Sequence, residues 1–185
     1  MTTPAVLVLS GTNRPGSSTL KIARTLTGHY QQAGVSVDFY SLEELPQEIF
    51  SSESYARKPD AFIAVQNRVL AAAGLHVVTP EYNGSFPGVL KYFIDMLKFP
   101  ESFEAKPVAF TGVAAGVWGA IRPIEQLQMI FSYRNAHLYP DRVFIPQVAG
   151  KLSPEGKLLD PAIDARLAKQ AKGFARFALA MTAER

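Results

Sequence analysis

Cysteine is absent from the 185 residues. That excludes disulfides, thiolate nucleophiles and cysteine-based metal sites, and it fits a reducing compartment, so the cytoplasm is the expected location. No apolar run approaches the ~20 residues that a membrane-spanning helix needs. The first residues, Met1-Thr2-Thr3-Pro4-Ala5, have no basic segment ahead of an apolar one, so no signal peptide is expected. Lys and Arg number 19 against 16 Asp and Glu, a net charge of +3, and they form neither a stripe nor a recognition motif. Nucleic acid and membrane are therefore not expected partners. His29, His76 and His137 are far apart and share no metal-ligand spacing, so no metal is expected. His76 interrupts an apolar run and reads as a core histidine.

What is present is globular. Hydrophobic residues make up 48% and charged residues 19%, which is enough apolar surface for a core and too little charge for a disordered chain. The length suits one domain over residues 1–185, with no linker, repeat or low-complexity tract to divide it. Residues 5–10 form a short, partly β-branched apolar run, expected as a strand buried on both faces. Leu20, Ile22, Ala23, Leu26 and Tyr30 recur at helical spacing, and Gly34 closes that helix. Residues 35–40 alternate as an edge strand does. Residues 41–59 read as a polar connection with room for one short turn. Asp60 is the expected N-cap of a helix to about Ala73, stopped by Gly74.

Strands at residues 75–79 and 107–111 bracket a helix over residues 88–97. A helix follows over residues 121–133, with Pro123 in its first turn. A fifth strand, interrupted at Pro140, lies within residues 137–145. Residues 146–161 read as a surface excursion. Asp160-Pro161 opens a last helix with Ile163, Leu167, Phe174, Phe177 and Leu179 on its apolar face. Strand–helix crossovers require parallel strands. The alternation predicts an α/β, three-layer α/β/α fold with a five-stranded parallel sheet of flavodoxin-like order 2-1-3-4-5.

Ligands of such sheets bind at the carboxyl ends of the strands. Three loops fall there. The first, residues 10–19, has the glycine spacing of a nucleotide-hydrolase loop, Gly11-x4-Gly16, but Ser17-Ser18 stands where Lys-Ser/Thr belongs. A Gly-x-Gly-x-x-Gly fingerprint is also missing. What remains is a loop rich in hydroxyls with one arginine at a helix N-terminus. There, backbone amides and the helix dipole favour a single terminal phosphate. The plainer alternative is that Ser17 or Ser18 is an N-cap and Arg14 is solvated. The second loop, Thr79-Pro80-Glu81-Tyr82-Asn83-Gly84-Ser85-Phe86-Pro87-Gly88, is rigid, polar and bracketed by prolines. The third, residues 112–119, is rich in glycine.

With these loops in view, the chain resembles the NADPH-dependent FMN reductase family, which includes flavin-dependent azo, quinone and chromate reductases. The likeness covers nearly the whole chain. It is carried by Pro80-Glu81-Tyr82-Asn83-Gly84-Ser85, then Pro87-Gly88 and Leu90-Lys91 ahead of Asp95. Gly11, Thr12, Arg14 and Ser17 are similar to the family's Gly-Ser-x-Arg-x-x-Ser loop, and Thr19 stands where the family has Asn. Gly119 and Arg122 match a Gly-Gly-x-Arg segment in which Ala120 replaces the second glycine.

The resemblance implies bound FMN and NADPH or NADH as electron donor. Thr12, Arg14, Ser17, Ser18 and Thr19 would hold the phosphate. Pro80, Glu81, Tyr82, Asn83 and Gly84 would line the ring edge. Thr111, Gly112, Ala115 and Gly116 would lie on the pyrimidine side, where backbone amides offset the negative charge of reduction. Hydride transfer between stacked rings needs orientation rather than an acid or nucleophile, so no catalytic residue is expected. Glu81 reads as a residue holding local backbone. Trp118 either stacks on a substrate or a partner or anchors its loop. Phe93, Met96, Leu97 and Phe99 read as core, while the resemblance implies a homodimer or tetramer through that helix. A small acceptor (flavin, quinone, azo compound or chromate) is the expected substrate. The alternative is an electron carrier of flavodoxin type serving a protein partner, against which stand the basic charge and Arg14.

Overall fold

The computed structural model describes residues 6–183. Ala5, expected to open the first strand, lies outside them. The elements are β1 (Val6–Ser10), α1 (Ser18–Gln32), β2 (Val37–Ser41), α2 (Asp60–Ala71), β3 (Gly74–Pro80), α3 (Gly88–Met96), β4 (Pro107–Val113), α4 (Ile121–Tyr133), β5 (His137–Leu138), β6 (Val143–Ile145) and α5 (Pro161–Ala183). Their sheet runs β2-β1-β3-β4-β5, and β6 pairs with β4 beyond β5. All pairings are parallel. The expected order 2-1-3-4-5 is therefore found, with the fifth strand split into two pieces around Pro140.

The two faces of the sheet carry separate cores. Leu7, Leu9, Leu75, Val77, Val108 and Phe110 point to one side, where Phe62 of α2, Phe93 of α3 and Phe131 of α4 cover them. Val6, Val8, Val78 and Ala109 point to the other, under Ile22 and Leu26 of α1 and Leu167 and Phe174 of α5. Each fully buried Phe or Leu contributes roughly 1.5–3 kcal/mol of transfer free energy. Three layers result, with α1 and α5 on one face and α2, α3 and α4 on the other.

Several boundaries depart from expectation. Residues 41–59 hold three short 3-10 turns, and Leu42 and Ile49 from them are buried in the core, so this connection packs rather than floats. Asp60 is the first residue of α2, and Pro59 sits at the cap position without a side-chain bond. Gly74 opens β3 instead of ending α2. A Cβ there would meet Phe174 Cζ at 2.8 Å, so close packing of α5 requires the glycine. Residues 146–161 include a 3-10 turn at Val148–Lys151, with Val148 and Leu158 buried. Leu179 is exposed, and Ala171, Ala175 and Ala178 join Ile163, Leu167 and Phe174 on the buried face of α5.

A polar chain crosses the second core. Tyr30 Oη lies 2.7 Å from His76 Nδ1, His76 Nε2 3.0 Å from Thr111 Oγ1, and Thr111 Oγ1 2.8 Å from Gln170 Oε1. The Gln170 amide donates to the carbonyls of Phe110 and Asp141. Its NH2 end is thus committed to two carbonyls, so its oxygen must accept from Thr111. Thr111 then accepts from His76 Nε2–H, which leaves Nδ1 to accept the Tyr30 hydroxyl proton. His76 is a core histidine held in one neutral tautomer, and burial pushes its pKa down to about 3.

Candidate functional site

Register brings the three loops together. Ser10 of β1 pairs with Val78 of β3, and Pro80 of β3 pairs with Val113 of β4, so the chain leaves all three strands along one edge of the sheet. Between the loops lies a cleft of about 230 Å³ lined by residues 14–19, 80–82, 113–115 and Val148.

The first wall starts at Gly11, whose amide donates to the carbonyl of Val78 at 2.8 Å. A Cβ on Gly11 would lie 3.0 Å from that carbonyl oxygen and from Leu90 Cδ2, so the tight exit from β1 favours glycine. Thr12 is buried beneath the loop. Its Oγ1 accepts the Arg14 amide at 3.3 Å and lies 3.1 Å from Tyr82 Oη, which ties this wall to the next. Ser17 is the N-cap of α1 and accepts from the Leu20 amide at 3.1 Å. That occupies one lone pair and leaves the hydroxyl proton available. The amides of Ser18 and Thr19 make no hydrogen bond among the described residues. The first turn of α1 carries no acidic side chain, so nothing there offsets its positive end. Arg14 is exposed and stands in the cleft wall. The donors therefore converge on a place for an anion.

The second wall continues β3. The Glu81 amide donates to Val113 O at 3.1 Å. Tyr82 and Ser85 then exchange both backbone hydrogen bonds, at 2.8 and 3.0 Å, around Asn83 and Gly84 with φ of 52° and 75°. Positive φ at both central residues is the type I′ arrangement that Asn-Gly favours. Glu81 Oε1 accepts from Arg122 Nη1 at 3.3 Å, and that guanidinium lies 5.9 Å from the Trp118 ring centroid.

The third wall begins later than expected, because β4 runs on to Val113 and includes Gly112. The Ala114 amide donates to Ile145 O, the Gln147 amide to Gly116 O and the Val148 amide to Ala114 O, which lashes the loop to β6 and to the segment after it. The amides of Ala115 and Gly116 make no hydrogen bond among the described residues.

Of the residues read from sequence, Arg14, Ser17, Ser18, Thr19, Pro80, Glu81, Tyr82 and Ala115 line the cleft together. Thr12 lies under it, Asn83 and Gly84 form the turn at its rim, and Gly116 follows its third wall. Gly112 does not line it; its Cα faces Gly119 and α4. Thr111 does not reach it either. Its hydroxyl is fully buried between His76 and Gln170, on the face covered by α1 and α5. Val113, Ala114 and Val148 line the cleft without having been singled out. Val113 and Ala114 sit inside the glycine-rich segment. Val148 carries no sequence signal, since only the fold brings it across. Trp118 is 63% exposed, which removes the packing-anchor alternative. Phe93, Met96 and Leu97 are core, but Phe99 is exposed under the Arg134 guanidinium.

The family model for NADPH-dependent FMN reductase matches residues 4–150. An NAD(P)H-dependent FMN reductase of Pseudomonas aeruginosa is 31% identical over 159 residues, covering 84% of each chain. An NADPH azoreductase of a Bacillus species is 30% identical over 140 residues, covering 76% of this chain and 75% of the relative. Among solved structures, FerB of Paracoccus denitrificans, a flavoenzyme NAD(P)H:(acceptor) oxidoreductase, superposes with a TM-score of 0.75 at 22% identity. It covers 95% of this chain and 97% of its own. That likeness concerns the fold.

Proposed function

The chain belongs to the NADPH-dependent FMN reductase family, and we propose that it is an NAD(P)H-dependent FMN oxidoreductase that passes electrons to a small acceptor: a flavin, quinone, azo compound or chromate. The observation that carries this reading is the three-walled cleft, with the unpaired amides of α1 and Arg14 at one end and the Pro80–Tyr82 wall along its side. FMN held in this cleft would supply the two-electron chemistry that links a nicotinamide donor to the acceptor.

The donor set fits that group. Arg14, the hydroxyls of Ser17, Ser18 and Thr19 and the first amides of α1 would hold the phosphate, with Thr12 fixing the loop from below. Pro80, Glu81 and Tyr82 would flank the ring, on a turn whose Asn83-Gly84 conformation is set by its own backbone bonds. The free amides of Ala115 and Gly116 would stabilise negative charge at the pyrimidine end without a side chain in the way. Gly112 acts on the shape of that wall from behind, and Thr111 acts within the core. Glu81 holds Arg122, and among the described residues it has no partner that would make it a proton relay, so no catalytic residue is assigned.

The whole chain, residues 1–185, is taken as one flavodoxin-like FMN-binding domain. The absence of cysteine supports a cytoplasmic location, and among the described residues no helix is long and apolar enough to cross a membrane. Exposed Phe99, Met129 and Tyr133 support a homodimer or tetramer. An electron carrier is disfavoured because the relatives at 30% and 31% identity are named as reductases.

The test is the visible spectrum of the purified protein, chromatography of the released flavin, and anaerobic addition of NADPH and NADH. FMN as the released flavin and bleaching of its visible band are expected. A protein that carries another cofactor, or whose FMN is reduced by neither nucleotide, would end this reading.

A further inference from the structure

The outward side of α5 is cationic along its length. Ile163, Leu167, Ala171, Phe174 and Ala178 are buried and fix which way the helix faces. At about 100° per residue, Lys169, Lys172 and Arg176 fall opposite them within an arc of about 60°, and Arg166 stands about 60° to one side. All four are exposed. They span about 15 Å of the helix axis. Dispersed along the sequence, these cations gave no ground for expecting a membrane partner; the helix gathers them on one face.

Among the described residues, no acidic side chain neutralises this face. Asp164 turns toward α1 and lies 2.9 Å from His29. Asp141, in the link before β6, is half-buried beside Tyr139, and Arg142 follows it directly. Arg166 donates to the Arg142 carbonyl at 3.1 Å, which leaves its charge unpaired. Lys169, Lys172 and Arg176 make no ion pair among the described residues. Like charges three and four positions apart on a helix repel one another. The stripe therefore works against the helix until an anionic surface faces it.

We infer that the outward face of α5 docks on an anionic lipid bilayer, with Arg166, Lys169, Lys172 and Arg176 at the level of the headgroups. The neutral residues on this side are Ala162, Ala165, Leu179 and Ala180, all exposed. None of them can hydrogen-bond a base edge or stack on one, as a nucleic-acid surface requires. A bilayer asks only for cations on long stems and a modest apolar contact. Leu179 lies two turns beyond Lys172 on the same line and is 46% exposed, so it supplies that contact. Docking of this kind is peripheral, since among the described residues no helix is long and apolar enough to cross a membrane. None of the four cations lines the cleft, so the proposal stands or falls independently of the reductase reading.

The test is co-sedimentation of the full chain with vesicles of phosphatidylcholine alone and with vesicles of phosphatidylcholine and phosphatidylglycerol in equal parts. Binding to the anionic vesicles alone is expected, and it should fade as salt shortens the Debye length from about 10 Å toward about 3 Å. Each Lys or Arg near such a surface contributes about fivefold in partitioning, the equivalent of about 1 kcal/mol. The triple variant Lys169→Gln, Lys172→Gln, Arg176→Gln should therefore lose roughly a hundredfold. A control variant, Arg57→Gln, Lys91→Gln, Lys98→Gln, removes the same three charges elsewhere and takes the net charge from +3 to zero in the same way. It should bind nearly as the wild type does. Helix content by circular dichroism checks that both variants are folded. Four results overturn the inference. One is equal sedimentation with uncharged vesicles. Another is equal loss in both variants, which would leave only net charge. A third is a short DNA duplex that binds the α5 face more tightly than the vesicles do. The last is self-association without lipid that the α5 variant abolishes, which would give the face to a second copy of the chain.

Discussion

His76 makes a quantitative claim about acid. Its imidazole is fully buried and its pKa falls to about 3 from an ordinary 6.5, because burial disfavours the charged ring. The unfolded chain therefore binds a proton below pH ~6.5 that the folded chain refuses. Stability from this group is complete above that pH and is lost as pH falls toward about 3. The full shift corresponds to about 5 kcal/mol at 1.36 kcal/mol per unit. Between about pH 7.5 and pH 5 the linkage integral gives a loss of about 2 kcal/mol. For a chain of this length, that is roughly 4–8 °C in Tm. His76→Gln has no titrating ring, so its stability should fall by about 2 kcal/mol less than the wild type over the same interval. Every other ionisable group is common to both proteins, so its contribution cancels in the comparison. The assay is urea unfolding at the two pH values, and only the slope matters, so a lower absolute stability of the variant is harmless. Equal slopes in the two proteins would refute the claim that His76 is folded as a neutral ring.

Lys106 is buried and its ammonium donates to the carbonyls of Val69, Leu70 and Ala72 at 3.1, 3.2 and 2.7 Å, closing the C-terminal end of α2. Lys106→Met keeps the stem and should lose about 3 kcal/mol in urea unfolding; a loss under about 1 kcal/mol would show that those carbonyls are satisfied without it. Arg14→Ala should weaken FMN binding by roughly ten- to a hundredfold in a fluorescence titration of the apoprotein, and unchanged affinity would remove the phosphate role. Gly112→Ala would place a Cβ 2.5 Å from the carbonyl oxygen of Gly119. A backbone atom cannot yield as a side chain does, so a loss of at least about 2 kcal/mol is expected together with weaker FMN binding; a melting temperature within a degree or so of wild type would count against it.

The layered fold was readable because its strands are nearly pure apolar runs. Residues 6–10, 75–79 and 107–111 are buried on both faces, and such runs between amphipathic helices have few other arrangements. Errors fall where a residue does something other than its commonest task. Gly74 resembles a helix stop, yet it is a strand residue made small by Phe174 and Ala178 from the far end of the chain. Asp60 resembles an N-cap, but the φ of Pro59 already sets the chain for helix entry, and Asp60 becomes the first helical residue, where its charge suits the dipole. Leu179 is apolar but stands one position, about 100° round the helix, past Ala178, which packs on Gly74, so it points off the buried face and is exposed.

The candidate site was legible as three loops and illegible in its fine division of labour, and the third wall shows why. Gly112, Gly116 and Gly119 look alike in sequence. In space Gly116 has no atom within 4 Å of where a Cβ would stand, Gly119 needs its φ of 62° and the closeness of Phe144, and Gly112 is hemmed in by Gly119 O, Ile124 and Ala120. Ala120 adopts φ 67° without being a glycine. The left-handed conformation costs an alanine roughly 1–2 kcal/mol. Its buried methyl returns roughly 0.8 kcal/mol, and the stiffer unfolded chain returns roughly 0.4–1 kcal/mol. The terms nearly cancel, so alanine is tolerable where the family resemblance has glycine. The same methyl lies 3.0 Å from the space above Gly112, so the exchange at 120 adds to the confinement at 112. Local sequence can mark this wall as tight, but only the paired geometry says which glycine bears the constraint.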